Sequence, residues 1–143
     1  MYDPYSIDYR QTNKLINDLE KAINGEFSAI QCYAQLAKMA PTEMERKRII
    51  EIRKDEKRHL RHFSTIYKML TGKEATPQLK EGCPNVYVNG LHFAFVDEQE
   101  TVDFYLDIAD NTRDAYIKET FRRAAADEQN HAVWFLHFLT INR

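Results

Sequence analysis

The chain has 143 residues, 43% of them hydrophobic and 29% charged, which is the balance of an ordinary soluble domain of single-domain size. A net charge of −2 gives no reason to expect nucleic acid as a partner, and no apolar run approaches the ~20 residues of a membrane span. The start, Met1-Tyr2-Asp3-Pro4, lacks the basic and apolar segments of a signal peptide, so the cytoplasm is the expected location.

The first predicted helix runs from about Asp8 to Ala40, with Asp8 and Gln11 as a capping box and Pro41 as its end. Thr42, with Glu45 three residues on, caps a second helix that continues to about Thr71, where Gly72 stops it. Residues 73–84 hold Pro77, Gly82 and Pro84 and read as a connection. The third helix begins between Asn85 and Leu91, where Val86-Tyr87-Val88 also fits an extended segment, and ends near Asp110-Asn111. The fourth runs from about Thr112 to Ile141. The expected fold class is all-α: one domain of two helical hairpins, about 8–71 and 85–141, forming a four-helix bundle.

The two cysteines, Cys32 and Cys83, are far apart and form no Cys-x-x-Cys pair, which excludes a zinc-ribbon or rubredoxin-type site. In a reducing compartment both are expected to be unpaired thiols.

Each helix carries an apolar stripe at spacings of three and four, and each stripe is interrupted by acid. The first reads Leu19, Ile23, Glu26, Ile30, Tyr33, Ala37, and the second Ile49, Ile52, Glu56, His59, Phe63, Ile66, Leu70. The third reads Leu91, Phe95, Glu98, Val102, Tyr105, Ala109, and the fourth Phe121, Ala124, Glu128, His131, Phe135, Phe138. A shift of 72 residues lays the second hairpin on the first without a gap. It matches Asn13 with Asn85, Glu26 with Glu98, Tyr33 with Tyr105, Asp55-Glu56 with Asp127-Glu128, His59 with His131 and Phe63 with Phe135. Every ionisable residue on the four stripes, so drawn, lies in this matched set. Glu26 and Glu56 lie 15 residues either side of a turn near residue 41, and Glu98 and Glu128 do the same about residue 113. All four carboxylates can therefore converge in one layer.

Four buried glutamates would repel, and each ionised carboxylate costs several kcal/mol to desolvate. Two divalent cations balance four negative charges. Glu and His three apart on a helix point the same way, so each Glu-x-x-His can serve one ion. One glutamate from each of two helices plus Glu-x-x-His from the other two is a di-iron or di-manganese donor set. Oxygen and nitrogen ligands without thiolate favour iron or manganese over structural zinc. Asp55 and Asp127 can accept the outer N–H of a bound imidazole or sit at the surface. Tyr33 and Tyr105 can bond a ligand carboxylate across the core or simply pack there. His62, His92 and His137 are unmatched and read as surface or rim residues, and Trp134 as packing.

At these residues the chain resembles the ferritin-like superfamily and, within it, the rubrerythrin family. The resemblance rests on Gly25-Glu26 with Tyr33-Ala34-Gln35-Leu36-Ala37, on Asp55-Glu56-Lys57-Arg58-His59 and on Asp127-Glu128-Gln129-Asn130-His131, and it covers essentially the whole chain. It implies Glu26, Glu56, His59, Glu98, Glu128 and His131 as ligands, with Glu56 and Glu128 bridging. It implies a di-iron centre reacting with hydrogen peroxide or dioxygen, an external electron donor and a homodimer. Two departures stand beside it. Thr101 occupies the place of an extra third-helix glutamate, and these residues hold no rubredoxin motif. Metal sequestration without turnover, and a structural bundle with a vestigial site, are the alternative readings.

Helices of ~30 residues span roughly 45 Å, and a connection of ~15 residues reaches about 50 Å. A crossover and a simple antiparallel return both fit these lengths. The resemblance implies the crossover.

Overall fold

The structure, a computed structural model, describes residues 4–80 and 82–143, with side chains from residue 9 onward. Four helices follow one another: α1 (Pro4–Met39), α2 (Glu43–Thr71), α3 (Tyr87–Asn111) and α4 (Ala115–Ile141). The Asp8 capping box does not open α1. The helix is already running at Pro4, since proline is tolerated in a first turn, and the Asp8 side chain lies outside the described residues. The expected cap of α2 is present: the Glu45 amide donates to Thr42 Oγ1 at 3.2 Å. Gly72 closes α2 at φ 75°, a left-handed conformation that glycine adopts without a side-chain clash. Val86 is extended, and α3 starts directly after it. α4 begins three residues later than expected because Asp114, not Thr112, accepts the Ile117 amide.

The helices pack as α1 on α2 and α3 on α4, with α1 also against α3 and α2 against α4, leaving α2 and α3 on a diagonal. The α2–α3 connection is a crossover. Its Gln78 amide donates to Asn24 Oδ1 and its Lys80 amide to Ser28 Oγ, and Gln35 Nε2 donates to the Pro84 carbonyl. The connection thus climbs α1 along one stripe of polar side chains and returns the chain to the end where α2 began. There Tyr87 Oη donates to Glu45, and Gly90 lies so close to Leu36 that an added Cβ would sit 2.4 Å from its Cδ2.

The same path overturns the expectation of two unpaired thiols. Cys83 is carried alongside α1, and its Sγ is bonded to that of Cys32 across a Cα–Cα distance of 5.1 Å. Their separation in sequence gave no sign of this, because only the direction of the crossover brings them together.

Two apolar clusters fill the bundle. One holds Leu19, Ile23, Phe63, Ile66, Tyr105 and Phe121; the other holds Leu36, Ile49, Ile52, Leu91, Phe135 and Phe138. Phe63 and Phe121 stack with centroids 4.4 Å apart, and Tyr105 meets Phe63 edge-on at 5.2 Å. Among the described residues no helix is long and apolar enough to cross a membrane.

Candidate metal centre

Between the two clusters lies a polar layer. Glu26, Glu56, His59, Glu98, Glu128 and His131 are each at most 3% exposed. All six side chains named from the sequence converge there in two overlapping groups. Glu26, Glu56, His59 and Glu128 each offer one ligand atom within 4.8 Å of the others, and so do Glu56, Glu98, Glu128 and His131. Glu56 and Glu128 are common to both. Glu56 Oε1 lies 3.3 Å from His59 Nδ1 and 3.4 Å from His131 Nδ1, and Glu128 Oε1 lies 3.1 Å and 4.0 Å from the same atoms.

The outer contacts cross between the hairpins. Tyr33 Oη donates to Glu98 Oε1 at 2.6 Å, and Tyr105 Oη to Glu26 Oε1 at 2.8 Å. The His59 Nε2 atom meets Asp127 Oδ2 at 2.8 Å, and His131 Nε2 meets Asp55 Oδ2 at 2.8 Å. Both imidazoles thus turn Nδ1 inward and Nε2 outward. The matched residues of the 72-residue shift obey one approximate two-fold relation, as a duplicated hairpin should.

Burial pushes the Glu26 carboxyl up to about 8, and the neighbouring Glu56 charge adds to it. Burial also raises Glu98 and Glu128, again with Glu56 contributing. Burial opposes ionisation of Glu56 too, but the two imidazoles facing it win and hold it low. For His59 the same penalty is outweighed by the Glu26 charge and the Asp127 bond, pushing it up to about 12; Asp55 and Glu56 do the same for His131. Tyr33 and Tyr105 are raised by burial and by the glutamates they touch, which keeps them donors.

Four buried atoms in this layer have no hydrogen-bond partner: Glu56 Oε1, Glu98 Oε2, Glu128 Oε1 and His131 Nδ1. Buried polar atoms are rarely left so, and three carboxylate oxygens facing an imidazole nitrogen that can give up its proton suit a cation. All four belong to the group around His131, while in the other group His59 Nδ1 meets Glu26 Oε2 at 2.9 Å; it is the two overlapping groups together, with Glu56 and Glu128 shared, that fit two metal ions.

A pH dependence follows for metal-free protein. Groups whose folded pKa is raised bind more protons folded than unfolded, so they favour folding at low pH and lose that contribution as pH rises through the folded value. Glu26 acts in this sense between 4.5 and about 8, and Glu98, Glu128 and both histidines share its sign. Chelator-treated protein followed by circular dichroism should melt at the highest temperature near about pH 5 and at lower temperatures toward about pH 9. A melting temperature that rises over this range would contradict the charge distribution.

Two residues escaped the sequence reading. Glu45 extends the buried stripe of α2 and is 1% exposed, yet it has no counterpart after the 72-residue shift, where Ile117 stands. It is no part of the metal layer. It accepts from Thr42 Oγ1, Tyr87 Oη and Asn142 Nδ2, tying three chain segments together at one end of the bundle. The other residue is Arg58, which bonds both Asp55 and Asp127. His92 and His137 are exposed and His62 is half-buried, away from the layer, as expected. Trp134 is half-buried beneath the Arg48 guanidinium, 4.1 Å from the ring centroid.

Solved structures share this architecture. The Desulfovibrio desulfuricans bacterioferritin aligns with a TM-score of 0.80 at 22% identity, over 92% of this chain and 81% of that one. A ferritin-like diiron-carboxylate protein from Bacillus anthracis str. Ames gives 0.76 at 24%, over 90% and 97%. A hypothetical protein from Pyrococcus furiosus gives 0.79 at 22%, over 89% of each chain. The rubrerythrin family profile matches residues 89–141. The uncharacterized protein YhjR of Bacillus subtilis (strain 168) is 57% identical over 138 residues, covering 96% of this chain and 95% of YhjR. The chain belongs to the family of YhjR, and its four-helix bundle is ferritin-like in fold. The rubrerythrin match falls on α3 and α4, the hairpin that supplies Glu98, Glu128 and His131. The first hairpin repeats the same residues and places them in the same layer.

Proposed function

We propose that the chain is a two-metal carboxylate protein, iron being the metal, and that it is an oxidoreductase acting on hydrogen peroxide or dioxygen. The observation that carries this reading is the set of four unpartnered buried donors in a layer with two shared carboxylates. Glu26 and His59 would hold one ion and Glu98 and His131 the other, with Glu56 and Glu128, common to both groups, available to each. Iron is favoured by the oxygen-rich donors and by the di-iron descriptions of the bacterioferritin and the Bacillus anthracis protein, with manganese or a mixed pair as the alternative filling.

Bound iron would supply the electrons that reduce the oxidant. The chain supplies the rest. Tyr33 and Tyr105 fix one oxygen of Glu98 and of Glu26, leaving the other to face inward. Asp55 and Asp127 accept the outer N–H of the imidazoles, which sets the tautomer and strengthens Nδ1 as a donor. Phe63, Phe121, Phe135 and Phe138 exclude water on either side of the layer. A homodimer and an external electron donor complete the proposal.

Metal binding without turnover is the second reading. It is favoured by Thr101, whose Oγ1 donates back to the Asp97 carbonyl at 2.7 Å and so offers the layer no further carboxylate. Stopped-flow absorbance separates the two. Ferrous protein mixed with excess peroxide should oxidise faster than free ferrous ion and, with reductant supplied, consume many equivalents. One oxidation event without turnover supports sequestration. Well under one metal per chain after iron-replete expression would overturn both.

A further inference from the structure

Asp55 and Asp127 are joined through one guanidinium. Arg58 on α2 donates from Nη1 to Asp55 Oδ1 at 3.0 Å and from Nη2 to Asp127 Oδ2 at 3.3 Å. Asp55 is its neighbour on the same helix; Asp127 stands on α4 in the other hairpin. Each aspartate accepts from the imidazole of the hairpin opposite to its own. Arg58 therefore stands behind both imidazoles at once. It also breaks the internal repeat, because its counterpart after the 72-residue shift is Asn130. Of the two aspartates Arg123 reaches Asp127, at 3.3 Å.

We propose that Arg58 is a positioning residue that sets both metal-facing imidazoles through Asp55 and Asp127, so that one side chain couples the two halves of the centre. The inference rests on the two-metal reading of the layer. The side chain of Arg58 is 39% exposed, and an ion pair so open to solvent adds little to folding. Its effect lies in geometry. On Asp55 the guanidinium takes the oxygen that His131 leaves free, and on Asp127 it shares Oδ2 with His59 while Arg123 meets Oδ1, so a planar fork with two fixed donors restrains both carboxylates together. A lysine ammonium has the charge without the fork.

Zinc, which is diamagnetic, is the probe. Zinc affinity is measured by competition titration, and the imidazole Nε2–H signals of His59 and His131 are followed by NMR in zinc-loaded protein. Arg58→Gln should weaken binding at both positions by about tenfold, at the low end for loss of an outer partner, and shift both imidazole signals. Arg123→Gln should disturb the His59 signal alone. Arg58→Lys should fall between wild type and Arg58→Gln. The proposal is overturned if Arg58→Gln leaves both signals and the affinity in place, or if Arg58→Lys restores both fully, since charge alone would then suffice. A lower melting temperature for metal-free Arg58→Gln with unchanged zinc signals would assign Arg58 to the fold alone and also overturn it. Wild-type protein that takes up no zinc removes the two-metal reading before any variant is compared, and the proposal with it.

Discussion

Replacing both shared carboxylates, Glu56→Ala with Glu128→Ala, should take the chain from two bound metal ions to none, whereas Glu26→Ala alone should impair chiefly the ion beside His59. The asymmetry comes from geometry. Glu56 and Glu128 belong to both donor groups, while Glu26 and Glu98 each belong to one. Metal analysis after equilibration with ferrous ion or manganese is the measurement. Retention of two ions by the double variant would remove the assignment of these residues.

The thermodynamic counterpart is a change in what the metal does for stability. An ion present at 100 times its Kd stabilises the folded chain by about 2.7 kcal/mol, so two ions contribute about 5 kcal/mol. Wild type should show a metal-dependent gain in unfolding free energy of that order, seen as a higher melting temperature, and the double variant none. Without metal the two replacements act in opposite senses: losing Glu56 takes from both imidazoles the carboxylate they hold ionised, whereas Glu128, pushed well above the ordinary carboxylate range by burial and by Glu56, Glu98 and Glu26, gives up an unfavourable burial. A variant that loses metal-dependent stability yet is no less stable when metal-free separates a damaged site from a damaged fold.

What the sequence made legible depended on periodicity and repetition. The stripes, the 72-residue shift and the equal distances from the turns brought six ligand candidates to one layer, and helix geometry carries such reasoning well. That the tyrosines can bond a carboxylate across the core was readable, but which partner each outer residue meets was not. Tyr33 meets Glu98 and His59 meets Asp127 only because the two hairpins face each other, a matter of packing between elements distant in sequence. Arg58 was hidden because the repeat drew attention to matched residues and its match is Asn130. Glu45 was hidden because its capping role accounted for it before its burial was known. The crossover was undecidable from lengths. The polar stripe Asn24, Ser28, Gln35 that holds it looks, in sequence, like one more solvated face of a helix.

That crossover sets the second large effect, at the cysteines. Cys32 and Cys83 are 51 residues apart, and the bond between them closes a loop containing the whole of α2. In the chain-entropy account, closing a loop of that size restricts the unfolded state by about 4 kcal/mol. Cys32→Ala with Cys83→Ala should therefore lower the free energy of unfolding by about 3–4 kcal/mol, and urea unfolding should show a higher m value as well as a lower midpoint. The m value rises because an unfolded chain without the cross-link exposes more surface. Alanine is the better replacement, since Cys32 lies buried among Ala29, Tyr33 and Leu36, where a serine hydroxyl would add its own burial cost. Treatment of wild type with a phosphine reductant should reproduce the change in m and most of the loss. The polar contacts either side of Cys83 would keep the crossover near α1 in the folded state, so the loss belongs to the unfolded chain. If the variant unfolds within about 1 kcal/mol of wild type with the same m value, the bond does not constrain the unfolded chain as the loop-closure account requires.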